Sequence, residues 1–364
     1  MLLKFSLPCI LSLLISVLYN IVDQIFIGNS NVGAIGNIAT TIVFPLTCIA
    51  LAFGLLIGDG VAAYMSLCQG RKENDKIGRA IFTAISVSVI ISIIFIIIAF
   101  PLLDNILALF GAKTLASLEK SHEYGFIILI GVPFYIIMNM LNSIIRADGS
   151  PKIAMISMVL GAVINVILDA VFIFPLNMGL TGAALATIIG QIASFLVSVI
   201  YMFRTKTFKI TKHDCKISLD ELKWILKLGL SSFLTQISIV IISAVSMNML
   251  AKYGAMSKYG ANDPQAIVGV VMKVFTIVIN IAVGIAVGGQ PIVGYNYGAG
   301  KIKMVKELLG LILVSNIILG IIATLIFQLF PEAIIKMFGS NSKNPDLYIE
   351  FGIKAVRIYL MLIL

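Results

Sequence analysis

Apolar residues run almost unbroken along this chain, in long stretches parted by short polar connections. A helix needs about 20 such residues to cross a hydrocarbon core about 30 Å thick. Ten stretches reach that length: 5–28, 37–69, 79–103, 122–145, 152–175, 181–203, 223–251, 264–297, 305–330 and 347–364. The runs are continuous rather than alternating, which predicts helices and excludes a porin-like barrel. Helices also satisfy their own backbone polar groups where no water is present. The pattern therefore predicts an all-α, polytopic transmembrane bundle.

Composition agrees and adds orientation. The chain is 60% hydrophobic and 12% charged, about half the charge of a water-soluble domain, with a mean hydropathy of +1.07. Basic residues crowd alternate connections. Lys4, the Arg71–Arg79 turn, Arg146 with Lys152, the segment from Arg204 to Lys227, and Lys301–Lys306 hold 17 of them. The opposite connections hold six: Lys113, Lys120, Lys252, Lys258, Lys336 and Lys343. Basic loops stay in the cytoplasm, so a cytoplasmic N-terminus in a cell (plasma or inner) membrane is expected. The net charge of +9 follows from that topology and predicts no nucleic-acid partner. The first apolar stretch is too long for a signal core and lacks a small-residue cleavage site. The four cysteines form no CxxC pair and the histidines number two, so no metal centre, no HExxH site and no enzyme activity are expected.

The chain also repeats itself. A shift of 228 residues carries Gly60 onto Gly288, Gly70 onto Gly298, Phe110 onto Phe338 and Gly111 onto Gly339. "LALFGA" at 107 meets "IKMFGS" at 335. The offset spans six helices, so both copies have the same orientation in the membrane, an arrangement known among transporters. The expected organisation is a six-helix lobe over 1–203, a cytoplasmic linker over 204–221, and a second homologous lobe from 222 to 364. Leu364 corresponds to Ile136, midway through a fourth helix. The second lobe is therefore expected to be truncated, leaving about ten helices.

A few side chains do not belong in lipid. An ionised group at a helix centre costs about 2.5–3.5 kcal/mol on insertion scales, so it usually faces a cavity or a partner. The candidates are Asp23, Asp59, Asp169 and Lys273, with Asn165 one helical turn before Asp169. At about 1.5 Å per residue, Asp23 lies roughly 28 Å from the Lys4 end, and Asp169 and Thr187 roughly 26 Å from Lys152 and Arg204. These three share one level, in the outer half of the first lobe. Asp59 is roughly 18 Å from Arg71, nearer the cytoplasm. Plainer readings stand beside these. An outer aspartate can cap a helix at the interface, Asp59 can face a vestibule, and Lys273 can snorkel outward along its stem.

The motifs together carry a resemblance. "LPCILSLLISVLYNIVDQIFIG", "IRADGSPK", "AVINVILDAVFIF", "GLTGAALATIIGQ" and "GGQPIVGYNYGAGK" occur in that order over nearly the whole chain. They resemble the MATE family of multidrug and toxic compound extrusion transporters, in its bacterial multidrug-export branch. The resemblance implies twelve helices in two lobes, and proton- or sodium-driven export of amphiphilic, often cationic compounds. It places Asp23, Asn165, Asp169 and Thr187 around a cation site, with sodium a candidate at Asp23, Asn165 and Asp169. Tyr19, Asp59, Tyr135, Asn139, Gln191, Gln236 and Lys273 are candidate cavity or vestibule residues. The seventh helix has no acid, so coupling through the second lobe is unsupported. The expected partners are small amphiphilic substrates and the bilayer, with a monomeric chain and no cofactor beyond the transported ion. The alternative is a lipid-linked oligosaccharide or polysaccharide flippase of the same wider superfamily. Its cavity should be cationic to hold pyrophosphate, whereas the first-lobe spans carry acids.

Overall fold

The computed structural model describes residues 2–112, 114–258, 262–337 and 345–361. Twelve α-helices occur among them: α1 (Leu2–Gly28), α2 (Ala34–Arg71), α3 (Asn74–Ala99), α4 (Leu103–Leu109), α5 (Leu115–Ala147), α6 (Pro151–Ile173), α7 (Gly179–Met202), α8 (Leu219–Ala255), α9 (Asn262–Gly298), α10 (Ile302–Leu329), α11 (Pro331–Met337) and α12 (Pro345–Tyr359). Nine are long and apolar enough to cross a membrane. Chain chemistry sets several ends. Lys72 leaves α2 in a left-handed conformation, with φ 62°. Thr114 and Ser117 form a reciprocal capping box at the start of α5, and Pro151 opens α6, where its missing N–H costs nothing.

Two departures from the sequence reading concern short elements. Helices α4 and α11 break the connections before α5 and α12, and seven residues each is too short to show as an apolar span. The tenth expected span corresponds to α12, of 15 residues; its last positions, 362–364, lie outside the described residues. So do Phe338 and Gly339 of the repeat, and Lys113 and Lys343 of the charge pattern. Within the described residues the 228-residue shift carries Leu103–Leu109 onto Pro331–Met337, and the start of α2 onto the start of α9.

The repeat explains how the two bundles meet. Helix α1 packs on α9, α2 on α8, and α2 on α9. Since α8 corresponds to α1 and α9 to α2, the first two pairings are equivalents. Glycine makes the approach possible. A side chain at Gly70 would fall on the Tyr295 carbonyl, and one at Gly298 on the Leu67 carbonyl. Those are the same contact seen from both sides of a pseudo-twofold axis. Likewise a Cβ on Gly60 would strike Ile225 of α8, and one on Gly288 would strike Ser6 of α1. Small residues let helix backbones meet where lipid supplies no hydrophobic drive. These approaches lie toward the end bearing Lys4, Arg71 and Lys301, here called the basic end.

The connection between the bundles is held down at that same end. Asp148, fully buried after α5, accepts hydrogen bonds from the Lys206 and Thr207 backbone N–H groups (both 2.8 Å) and from the Tyr201 hydroxyl (2.6 Å). Further along, the Thr211 hydroxyl and N–H hold the Asp214 carboxyl below the usual carboxylate range. Asp214 in turn rests on Gly78 of α3, where any larger residue would meet its carboxyl.

Candidate functional site

The site is built inside the first bundle, where α1, α6 and α7 meet with α5 behind them. Helix α6 carries Asn165 and Asp169 one turn apart, and both are buried. Helix α1 carries Asp23, 7% exposed. Close packing of α6 on α7 brings Thr187 alongside. Gly161 and Gly190 face each other there, and a Cβ on either would come within 2.7 Å of the other's carbonyl oxygen. The Asn165 side-chain N–H then donates to the Thr187 hydroxyl at 3.4 Å, a long bond.

The carboxyls of Asp23 and Asp169 stand within hydrogen-bonding reach of each other. Among the described residues no well-aligned protein donor serves either oxygen of Asp169, Oδ1 of Asp23 or Oδ1 of Asn165. The Asn165 amide lies near Asp169 but is turned toward Thr187. Three oxygens of the neighbouring Asp23 and Asp169 carboxyls, and the Asn165 amide oxygen one turn along α6, are thus buried without a partner. Burying such groups unpaired is costly. Two carboxylates this close in a dry site also repel strongly unless a proton or metal cation lies between them. The donor set is all oxygen, which suits a proton or a hard cation such as sodium, either of which would be cargo.

A cavity of about 50 Å³ adjoins this point. Tyr19, Tyr135, Asn139, Asn165, Thr187 and Gln191, all singled out from sequence, line it. It has room for a small hydrated ion. A drug-sized ligand needs about 300 Å³ or more, so this is not where an amphiphile sits. Gln236 on α8 and Lys273 on α9 do not line it; both are half-buried on the second bundle.

Asp59 is placed elsewhere. It is 9% exposed, in the seam between the bundles, with Arg146 at 3.7 Å. The close approach of α2 to α8 closes the space beside it in this arrangement of the bundles.

Tyr124 was missed. Its buried ring on α5 places the hydroxyl beside Thr187, Asp23, Asp169 and Tyr19. Counting residues from Arg146 would have put Tyr124 in the outer half too; the sequence reading applied that count only to charged groups and Thr187.

Comparisons with known proteins agree with the fold. The MatE family profile matches residues 8–171 and again 231–364. The multidrug export protein MepA of Staphylococcus haemolyticus (strain JCSC1435) is 28% identical over 343 residues, covering 93% of this chain and 73% of that protein. MepA of Staphylococcus aureus (strain NCTC 8325 / PS 47) is 27% identical, covering 89% and 70%. Among solved structures, a MOP superfamily transporter from Pyrococcus furiosus, whose binding-pocket polarity was taken to suggest a different function, superposes with a TM-score of 0.89. It is 24% identical, with coverage of 99% of this chain and 79% of that one. A multidrug resistance MATE family transporter in an outward-facing conformation gives a TM-score of 0.89 at 23% identity, covering 100% and 78%. At such identities these structures establish the shared fold.

Tyr124→Phe should keep the ring's packing and lose the hydroxyl. A neutral hydrogen bond contributes about 1 kcal/mol, so the cation concentration for half-maximal transport should rise about fivefold with thermal stability retained. An unchanged midpoint would put Tyr124 outside the site.

Proposed function

The chain belongs to the MatE family, and on that footing we propose that it is a cation-coupled antiporter exporting amphiphilic, often cationic compounds by alternating access. The observation that carries this reading is a neighbouring pair of buried carboxyls, Asp23 and Asp169, with unpaired oxygens and the unpaired Asn165 amide oxygen one turn away. Such a point binds a proton or sodium ion, and its hydroxyl neighbours, Thr187 and Tyr124, orient the acceptors. Binding couples to transport only if the cation is held unequally in the two arrangements of the bundles. Helix α1 provides the link. It bears Asp23 toward one end and packs on α9 of the second bundle through Ser6 and Ile10 at the other. A cation that pulls Asp23 toward Asp169 therefore acts on a helix shared with the seam.

The names of the MepA relatives support the substrate class. The cavity beside the carboxyls carries no lysine or arginine, which suits a cation and not the pyrophosphate of a lipid-linked sugar. The amphiphile is assigned to the space between the bundles, with the chain working as a monomer in the bilayer. Basic-loop bias sets the basic end in the cytoplasm. A seam closed at that end makes this arrangement outward-facing, in keeping with the outward-facing relative.

Orientation is testable without mutagenesis. Cys215 is exposed on the linker, and the other three cysteines are buried. A membrane-impermeant maleimide should label Cys215 in everted vesicles and leave it unlabelled in intact cells. Labelling from outside intact cells would invert the topology.

Coupling rests on Asp169. Asp169→Asn keeps the size of the side chain and removes its charge. Uphill efflux of a fluorescent lipophilic cation in everted vesicles should fall tenfold or more at matched expression, given couplings of about 1–3 kcal/mol. Drug binding should persist. Collapsing the proton and sodium gradients separately identifies the driving ion. Wild-type uphill transport by Asp169→Asn would remove Asp169 from the coupling role.

A further inference from the structure

Asp59 is a buried acid in the middle of α2 that the cation site leaves unused. Its carboxylate accepts two hydrogen bonds from opposite sides of the seam. The Ser232 hydroxyl of α8 donates to Oδ2 at 2.8 Å, and the Ser143 hydroxyl of α5 donates to Oδ1 at 3.1 Å. Arg146 of α5 donates to Ser143 at 2.7 Å and stands 3.7 Å from the carboxylate. The Asp59 backbone carbonyl accepts from the Gln290 side chain of α9 at 3.2 Å. One residue thus receives donors from both α8 and α9.

Close packing alone does not call for a charge here. The repeat supplies the control. Gly60 and Gly288 are equivalent positions, each pressed on the opposite bundle. The residue before Gly60 is Asp59, and the residue before Gly288 is Val287. The acid at 59 therefore has an apolar counterpart in the repeat, Val287. A buried charge at an interface is expensive unless it is paired and hydrogen-bonded.

We propose that Asp59 is a releasable latch that holds the basic end of the seam shut, with Ser232 and Gln290 as its catches on the second bundle. The inference rests on the alternating-access reading. Its partners sort by bundle. When the bundles part, Ser232 and Gln290 leave with α8 and α9, while Ser143 and Arg146 stay beside Asp59 on α5. The carboxylate keeps its counter-charge in both arrangements, so opening breaks two inter-bundle hydrogen bonds and strands no ion. A latch built this way biases the equilibrium without locking it. Asp59 is a positioning residue in this account, since it touches neither the cation nor the amphiphile.

The test is a distance measurement across the seam. Spin labels at Lys72 and Lys301, both exposed and on opposite bundles, report joined and parted populations of the purified protein in lipid nanodiscs, with native cysteines replaced. Ser232→Ala and Asp59→Asn should each raise the ratio of parted to joined about tenfold, the worth of one hydrogen bond to a charged group. Ser143→Ala removes a bond to the same carboxylate from within the first bundle and should leave the ratio near that of the parent. If Asp59→Asn folds poorly, the comparison of Ser232→Ala with Ser143→Ala still decides. A parted population that appears with cation or drug but ignores Ser232→Ala overturns the latch and leaves alternating access standing. An equal response to Ser143→Ala also overturns it, because loosened packing then explains the opening. A single joined population under every condition sinks both the latch and alternating access.

Discussion

Two carboxyl groups, Asp23 and Asp169, are pressed together in a protein interior with no lysine or arginine lining the cavity beside them. That repulsion is the constraint around which the first bundle is organised. The oxygens converge because α6 and α7 touch through Gly161 and Gly190, which draws Asn165 and Thr187 into the same layer. They stay dry because Tyr124 and its neighbours on α5 close the far side. Under the proposed function such a pair is relieved by a cation, which ties cation occupancy to the position of α1.

In the proposed mechanism the seam turns cation occupancy into a change of access. One contact in it, Gly70 against Gly298, is two-fold, and Gly60 and Gly288 are each pressed on the other bundle. Helices that meet backbone to backbone slide or part as units. Small differences in binding energy at α1 then suffice to move the balance, since a ligand shifts an equilibrium by its differential affinity and nothing more. Asp59 departs from the symmetry at the place where the sealed end must hold and release.

Much of this was legible in the sequence. Residue counts from basic helix ends put Asp23, Asp169 and Thr187 at one level because helical rise is nearly constant, and the structure does set them side by side. The 228-residue repeat named Gly60, Gly70, Gly288 and Gly298 from spacing alone, and they line the seam. What escaped did so for three reasons. Helices α4 and α11 are too short to leave a periodic signal. The partners of Asp59, Ser232 and Gln290, were not legible because they lie far along the chain, and no local pattern encodes which helices of two bundles meet. Tyr124 escaped for a third reason: a tyrosine in an apolar helix carries no penalty that calls attention to it.

The central claim is that the Asp23–Asp169 pair takes up a cation, and infrared difference spectroscopy of the purified protein tests it most directly. Carboxyl bands are compared between low and high pH and between sodium-free and sodium-loaded samples, for the parent, Asp23→Asn and Asp169→Asn. The account predicts a carboxyl band that responds to proton or sodium in the parent and is lost in each single variant, because the two groups titrate as a unit. A parent spectrum with both carboxylates ionised and indifferent to sodium across the range would contradict it.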